Sequence, residues 1–279
     1  MQGKSFLYIS IFLLATITRS YCCDDTLTNK KSIKRIYFPV LTFHLGASVL
    51  NTDGDIRLNS PNQRGTDLDY TKDLGFTGFA YMPRVNITVR FKRNQLSFLD
   101  FIGFNRIADT ETRRPFRFGF KEFPEGTAIS SRMHIYSANI AYRHTIISNR
   151  FGDVGILGGF TGSHIYTLIT LQTDKSVGES AKIMYASPLI GFEAFFFPSQ
   201  KIFIRCVAHY FNSPLTGFNF ESLSFKPTIE YFFTENIGAG FRYHYFNTIV
   251  NDMYKERFDG RFAYHFHSWS LFVCYRVFR

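Results

Sequence analysis

The stretch LSFKPTIEYFF, residues 223–233, alternates apolar and polar side chains and decides the fold. One set of alternate positions is apolar or aromatic: Leu223, Phe225, Pro227, Ile229, Tyr231 and Phe233. The opposite set is polar or charged except at its last position: Ser224, Lys226, Thr228, Glu230 and Phe232. Because successive residues of a β-strand point to opposite faces, this period of two predicts a strand with one apolar face and one charged face.

The same alternation recurs from residue 41 to the C-terminus. We predict ten strands, at roughly 41–50, 81–91, 95–105, 134–145, 153–166, 186–197, 201–212, 222–233, 236–247 and 264–278. The clearest of them have about nine to eleven residues, the length with which a tilted strand crosses a bilayer. An apolar outer face and a polar inner face are typical of a membrane barrel. The sequence therefore predicts an all-β fold, a ten-stranded antiparallel up-and-down transmembrane β-barrel.

The connections between the predicted strands alternate in length. Four are short, KRN, IISNRFG, PSQ and TEN, whereas those after odd-numbered strands are longer, the first covering about 51–80. Short turns on one side and long loops on the other are typical of outer-membrane barrels, and an even strand number places both termini on the periplasmic side. The last strand has an aromatic residue, Phe278, in the penultimate position, which suits recognition by the barrel-assembly machinery except that Arg279 follows it. In this strand we predict that lipid contacts Trp269, Leu271, Val273, Tyr275 and Val277.

The N-terminus predicts export. Lys4 precedes an apolar stretch from Phe6 to Ile17 that is too short to span a bilayer comfortably. Cleavage after Cys22 and lipidation of a cysteine there stay open as alternatives. The absence of a later long apolar run excludes a helical membrane protein. We predict three parts: a signal peptide at 1–20, an N-terminal periplasmic segment at 21–40 and an outer-membrane β-barrel at 41–279.

Composition and charge limit the kinds of partner that the protein is expected to contact. The formal net charge of +10 suggests anionic surroundings such as lipopolysaccharide phosphates, unless the charge is merely spread over solvated loops. The loop TETRRPFRFGFKEF, residues 110–123, interleaves basic and aromatic residues. In an exported barrel this pattern predicts a hairpin above the membrane that contacts such phosphates, and not a nucleic-acid site. The four cysteines, with Cys206 and Cys274 in separate strands, exclude a disulfide scaffold.

Three stretches carry a resemblance to a known family: GASVLNTDGDIRL (46–58), GTDLDYTKDLGF (65–76) and FPEGTAISSRMHIYSANIAYRH (123–144). In these stretches the chain resembles a family of uncharacterised proteobacterial outer-membrane β-barrel proteins. The resemblance covers nearly all of the mature chain. It implies the same fold and a place in the outer membrane of a Gram-negative bacterium, and it implies no activity.

Charged residues on inward positions form the first candidate site, a lumen charge network: Arg84, Arg90, Arg143, Glu193, Arg205, Lys226, Glu230 and Arg242. Side chains of this size could fill the narrow interior of a ten-stranded barrel. Unpaired charges there would be costly, so we expect Glu193 and Glu230 to pair with Arg or Lys. Two interpretations stay open: a salt-bridged plug that stabilises the barrel, and a narrow pathway that favours anions because basic residues outnumber acidic ones.

Asp53 and Asp55 form the second candidate site, an acidic cluster in the first external loop. Asp and Gly supply turn geometry, so we expect DGD to shape that loop. An EF-hand needs glycine at the sixth loop position, and counting from Asn51 that position is Ile56. Looser binding of a divalent ion stays an alternative, and no metal or cofactor is predicted.

Catalytic constellations are incomplete in the sequence. An omptin-like protease needs acidic residues and an Asp–His pair at the barrel rim, and neither His164 nor His209 has an adjacent aspartate. A lipid A deacylase needs a Ser–His dyad, and the adjacent His267 and Ser268 would point to opposite faces of a strand.

We therefore predict a non-enzymatic outer-membrane protein with a structural or surface-binding role. A narrow pore stays open as one form of this prediction. Its expected partners are outer-membrane lipid and lipopolysaccharide, together with the barrel-assembly machinery. The alternatives are an outer-membrane hydrolase with loop carboxylates and a secreted soluble barrel that binds a ligand.

Overall fold

The computed structural model describes residues 40–91, 93–215, 218–253 and 258–278. The predicted signal peptide and almost all of the predicted periplasmic segment lie outside these residues. No helix of the described residues is long and apolar enough to cross a membrane.

Within the described ranges the chain forms thirteen strands. They are β1 (Leu41–Leu58), β2 (Leu68–Asp69), β3 (Ala80–Phe91), β4 (Asn94–Glu111), β5 (Phe116–Phe118), β6 (Lys121–Phe123), β7 (Ala128–Ser148), β8 (Gly152–Leu171), β9 (Gly178–Phe196), β10 (Ile202–Leu215), β11 (Phe218–Phe232), β12 (Ile237–Met253) and β13 (Phe258–Val277).

Ten long strands form a closed antiparallel ring in the described chain: β1, β3, β4, β7, β8, β9, β10, β11, β12 and β13. Each strand pairs with the next long strand along the chain, and β13 pairs back with β1 from Leu41↔Val277 to Leu58↔Gly260. Closure leaves the ring without a free edge. The short strands belong to connections, where β2 pairs with β1 and β5 pairs with β6. The predicted all-β fold with ten antiparallel strands in a ring is confirmed.

The strands extend beyond their predicted bounds, mostly at the end that carries the long connections. β7 begins at Ala128 rather than at residue 134, and β8 continues to Leu171 rather than to residue 166. The connection between β8 and β9 is therefore only residues 172–177. In this end of the ring the apolar residues change face: along β7, Ile129 and Met133 are buried while Arg132 is exposed. A pattern that requires apolar residues on the outer face does not detect these extensions.

Exposed apolar side chains form a belt around the outside of the ring, nearer the short turns. In β13 the predicted outward set is confirmed: Trp269, Leu271, Val273, Tyr275 and Val277 are all exposed, with Leu271 at 70%. The alternate residues Phe272, Cys274 and Arg276 are buried.

The interior is filled in successive layers. Near the short turns lie packed aromatic rings, among them Phe197, Phe203 and Phe232, with neighbouring ring centroids 5.2 and 5.3 Å apart. Charged side chains follow, and the long-connection end holds an apolar core that includes Leu50 and Phe262. The layers therefore change from aromatic to charged to apolar along one barrel.

Small residues make room inside the ring. A Cβ atom on Gly46 would lie 2.5 Å from the Cβ atom of Phe272. A Cβ atom on Gly240 would lie 2.4 Å from the aromatic ring of the same phenylalanine. Real Cβ atoms do not approach so closely, so both glycines are needed where Phe272 crosses the interior.

The two described cysteines, Cys206 and Cys274, are free thiols. Cys274 is completely buried on the inner face of β13. Cys206 is half-buried in β10, between the inward residues Arg205 and Val207, and therefore points outward.

Candidate functional site: the charged lumen and its cap

All eight predicted lumen residues are buried inside the ring, each with at most 9% of its surface exposed: Arg84, Arg90, Arg143, Glu193, Arg205, Lys226, Glu230 and Arg242. Four further buried residues join them that the sequence analysis did not assign to this site: His44, Asp100, Asp153 and Arg276. We call these twelve residues the charged layer.

Asp100 was missed because the alternation in β4 is interrupted. The pairing register of β4 with β7 shifts between Phe98 and Asp100, which marks a β-bulge. A bulge inserts one extra residue and reverses the phase of the faces. Asp100 therefore points inward together with Gln95 and Ser97, although simple alternation places it outward.

The first ion cluster joins Asp153 and Glu193 to three arginines. Arg143 pairs with both carboxylates, and its Nε lies 3.3 Å from Glu193 Oε2. Arg90 Nη2 lies 2.5 Å from Asp153 Oδ2, and Arg205 pairs with Glu193. The basic partners predicted for Glu193 are thus arginines. In this cluster two buried carboxylates pair with three guanidinium groups.

The second ion cluster is centred on Asp100. Lys226 Nζ lies 2.7 Å from one carboxylate oxygen, and Arg84 Nη2 lies 3.0 Å from the other. Arg242 Nη1 lies 3.9 Å from the same carboxylate. One buried carboxylate therefore faces three cationic side chains.

The third ion cluster lies nearest the short turns and is centred on Glu230. Arg276 Nη2 lies 2.8 Å from Glu230 Oε2, and His44 Nε2 lies 3.2 Å from Oε1. The guanidinium carbon of Arg276 also lies 3.5 Å from the ring centroid of Phe232 and 3.8 Å from that of Phe203. Stacking on aromatic rings is a favourable setting for a buried arginine.

These contacts connect strands that are not neighbours in the ring. Lys226 of β11 reaches Asp100 of β4, and Arg90 of β3 reaches Asp153 of β8. Charges in a low-dielectric interior are costly unless they are paired and hydrogen-bonded. Pairing across the ring therefore both satisfies the charges and fills the lumen.

An apolar cap covers the long-connection end of the barrel. It is formed by residues 59–79 and 112–127, whose buried apolar side chains belong to the same apolar cluster as the upper interior: Leu68, Tyr70, Leu74, Phe76, Phe116, Phe118 and Phe123. Burial raises the pKa of the Tyr70 hydroxyl well above its ordinary value. The cap thus shields the upper interior from water.

The hairpin predicted in residues 110–123 exists, with Phe116 paired to Phe123 in β5 and β6. It does not stand free above the barrel. Phe118 is completely buried, and the backbone N–H of Gly119 donates to the carbonyl of Leu58 at 3.0 Å. Phe120 at the turn is 73% exposed. Aromatic residues alternate with charged ones here because one face packs on the barrel.

Cavities in the charged layer are small. One of about 40 Å³ lies beside Asp100, and another of about 40 Å³ lies beside Glu230. A third, of about 20 Å³, lies between His244 and the apolar core. Spaces of this size hold one to a few water molecules.

Asp53 and Asp55 do not lie in a loop, so that part of the prediction is wrong. Both belong to β1 and point outward, where Asp53 Oδ2 lies 3.4 Å from His265 Nε2 and Asp55 Oδ2 lies 3.5 Å from Arg261 Nε. Gly54 allows the strand to continue: its φ is 146°, and a Cβ atom there would lie 2.1 Å from the carbonyl oxygen of Ala263. Partial burial raises the pKa of the Asp55 carboxyl.

Candidate metal and catalytic groups are dispersed. In the part of the chain that the structure describes, no three His, Cys, Asp or Glu side chains are placed to hold a metal ion. The Asp53–His265 pair lies on the outer wall. Ser224 Oγ and His244 Nε2 are 3.0 Å apart, a contact that sequence spacing did not predict because it joins neighbouring strands. That dyad is buried, and His244 Nδ1 has no hydrogen-bond partner among the described residues.

Comparison with known proteins identifies the fold type. No protein-family profile matches the chain, and no curated protein sequence is similar to it. The outer membrane protease OmpT from Escherichia coli has a similar structure, with a TM-score of 0.55 and 9% identity over 90% of this chain and 99% of that chain.

Weaker similarity extends to two further proteins. The attachment invasion locus protein Ail of Yersinia pestis has a TM-score of 0.33 and 12% identity, covering 86% of this chain and 99% of its own. Neisserial surface protein A has a TM-score of 0.33 and 9% identity, covering 84% and 96%. At such identities the likeness to OmpT shows the fold alone, that of a bacterial outer-membrane β-barrel.

Proposed function

We propose that this chain is a non-enzymatic outer-membrane β-barrel of a Gram-negative bacterium, sealed along its axis, with a structural or surface-binding role. The observation that carries the proposal is the combination of an exposed apolar belt with an interior filled by ion pairs, an apolar core and a cap. Such a molecule is suited to present its outer end, and not to conduct solutes.

The belt supports a membrane location. At the level of the charged layer the outer wall is apolar, as with Ile229 (53% exposed) beside the buried Glu230. A soluble barrel would place its charges outside and its apolar side chains inside, whereas the lipid-exposed part of a membrane barrel has the reverse arrangement. The secreted soluble alternative is therefore disfavoured.

The proposal also covers how the protein is exported and assembled into the membrane. Residues 1–20 act as a signal peptide and residues 21–40 remain in the periplasm. The outward set of β13 supports recognition of that strand by the barrel-assembly machinery, although Arg279 follows the terminal aromatic residue.

The filled interior favours the plug over the narrow anion pathway. Most basic side chains of the charged layer are held by carboxylates rather than arranged along an open channel, as in the pairing of Arg143 with Asp153 and Glu193. Above them the apolar core and the cap occupy the axis. Ion transit would require displacement of both layers.

The outer end supplies a surface for anionic partners. Arg64 and Arg114 have 71% and 55% of their side chains exposed, and Phe120 projects from the hairpin turn. Basic and aromatic groups together suit phosphate-bearing glycans such as lipopolysaccharide.

Fractionation and electrical recording test the proposal together. We expect the protein in urea-washed outer membranes, with electrophoretic mobility that changes on heating. In planar bilayers it should add no conductance above that of bare lipid. A protein that stays soluble without detergent contradicts the membrane location, and discrete single-channel steps contradict the sealed lumen.

A further inference from the structure

Positive charge exceeds negative charge in the charged layer. Its described members include seven side chains with Arg or Lys cations but only four carboxylates. The cations are Arg84, Arg90, Arg143, Arg205, Lys226, Arg242 and Arg276. The carboxylates are Asp100, Asp153, Glu193 and Glu230. An uncompensated charge in such an interior is costly, so the excess calls for a counter-charge.

The excess is largest around Asp100, where three cations meet one carboxylate. Arg84 and Lys226 contact the two carboxylate oxygens at 3.0 and 2.7 Å, which offsets the negative charge of Asp100. Arg242 lies farther away, at 3.9 Å, although only 3% of it is exposed. Its guanidinium donates from Nε to Thr228, which is a neutral partner. Arg242 is thus the cation with the weakest compensation in this cluster.

The cavity of about 40 Å³ lies beside this cluster and is lined by side chains that can donate hydrogen bonds. Besides the hydroxyl groups of Ser97 and Thr228, these are Asn86, Asn139, Arg205, His209, Lys226 and Arg242, and the rest of the wall is mostly apolar, with Ala141, Leu157, Leu189 and Val207. Asn86 uses its amide oxygen to accept from Thr88 and to contact His44, which leaves its amide nitrogen as a donor. Asp100 also borders the cavity, with its carboxylate engaged as described above.

His209 gives an independent indication of a ligand. Only 6% of its surface is exposed, and it borders the cavity. Within the described residues its imidazole makes no hydrogen bond. Most buried polar groups in proteins are hydrogen-bonded, so an unsatisfied ring beside a cavity indicates a partner within that cavity.

We propose that this cavity binds one small monovalent anion, chloride in the cell, held by Arg242, Lys226 and His209. Its size suits a monatomic ion with at most a few waters. The bound anion supplies the missing negative charge in the second ion cluster. It acts as a structural ion within the sealed barrel, so the site does not depend on what the outer end binds.

Anion exchange at constant ionic strength tests this site on the full chain in detergent micelles. Because an anion that binds only the native state stabilises it, we expect saturating chloride to raise the thermal unfolding midpoint by about 5 to 10 °C over gluconate. Arg242→Gln should remove most of that difference. Arg132→Gln, at an exposed position on the outer face of β7, should retain it.

Crystals of the unmodified protein grown in bromide give a second measurement that does not depend on any variant. An anomalous peak in the cavity between Arg242 and His209 is expected. Equal midpoints in chloride and gluconate, together with a cavity that contains no bromide peak, would mean that water alone fills it and would overturn the proposal. That outcome would leave the sealed barrel unaffected.

Discussion

At the scale of single residues, buried carboxylates hold the lumen together. Glu193 is completely buried and is paired with Arg143 and Arg205. It also accepts a hydrogen bond from Gln95 Nε2 at 3.2 Å. The sequence placed Glu193 on an inward position and predicted basic partners for it. It did not identify Arg143 and Arg205 as those partners, because pairing across strands depends on register and not on spacing along the chain.

Glu193→Gln tests this residue with almost no change of shape. The substitution leaves two guanidinium groups with less negative charge in a buried site, so we expect a loss of about 3–5 kcal/mol in the free energy of unfolding. Urea unfolding in lipid, followed by the fluorescence of the single Trp269, measures it. Glu235→Gln, in the exposed turn after β11, is the matched control and should change little. Equal stability of the two variants would contradict the role given to Glu193.

Residues that interrupt a pattern were harder to predict than residues that follow it. Asp100 was missed because a bulge reverses its face, and DGD was assigned to a loop because Asp and Gly favour turns. In the structure Gly54 instead permits close approach between β1 and β13. Local composition thus gave the wrong conformation where a neighbouring strand determines it.

At the scale of strands, the sequence pattern reveals only the part of each strand whose outer face is apolar. Within the belt, apolar residues point outward and the period of two is clear. Beyond it the outward residues become polar and the inward ones apolar, as with Arg132 and Met133 of β7. The predicted strands therefore end near the limit of the belt. The ten strands and their order were predictable, but their full lengths were not.

Leu271→Arg tests the belt on the last strand. Leu271 is 70% exposed, and an arginine there would face hydrocarbon, so we expect a loss of about 2–4 kcal/mol in folding stability in lipid vesicles. His265→Arg lies on the same face of β13 beyond the belt and can keep the contact with Asp53. Urea titrations of both variants in the same vesicles provide the comparison. If the two lose equal stability, the belt does not face lipid.

The cap gives a prediction within one short hairpin. Phe118 is completely buried whereas Phe120 is 73% exposed. Removal of a buried phenylalanine side chain leaves a cavity, so Phe118→Ala should lower the free energy of unfolding by about 3–5 kcal/mol. Phe120→Ala should have little effect. Similar losses in both variants would indicate that the hairpin does not seal the barrel as described.

At the scale of the whole molecule, the fold was predictable because a single period of two runs through the chain. The filling of the lumen was not, because it depends on pairs such as Lys226 with Asp100, which lie 126 residues apart. The cap likewise brings residues 59–79 onto residues 112–127, through the contact of Arg114 with Asp73 at 3.0 Å. Long-range contacts of this kind decide between a plug and a pore.

Cys206 and Cys274 report on both sides of the barrel wall in one measurement. The chain, with Cys22 and Cys23 replaced by serine, is folded into lipid vesicles and treated with an anionic methanethiosulfonate, a charge that the basic lumen would attract. Cys206 on the outer wall and Cys274 on the inner wall should both stay unmodified until urea unfolds the protein, whereas Ser176→Cys in the exposed 172–177 connection should react at once. Reaction at Cys206 in the folded protein would contradict a lipid-covered wall. Reaction at Cys274 would contradict a sealed lumen.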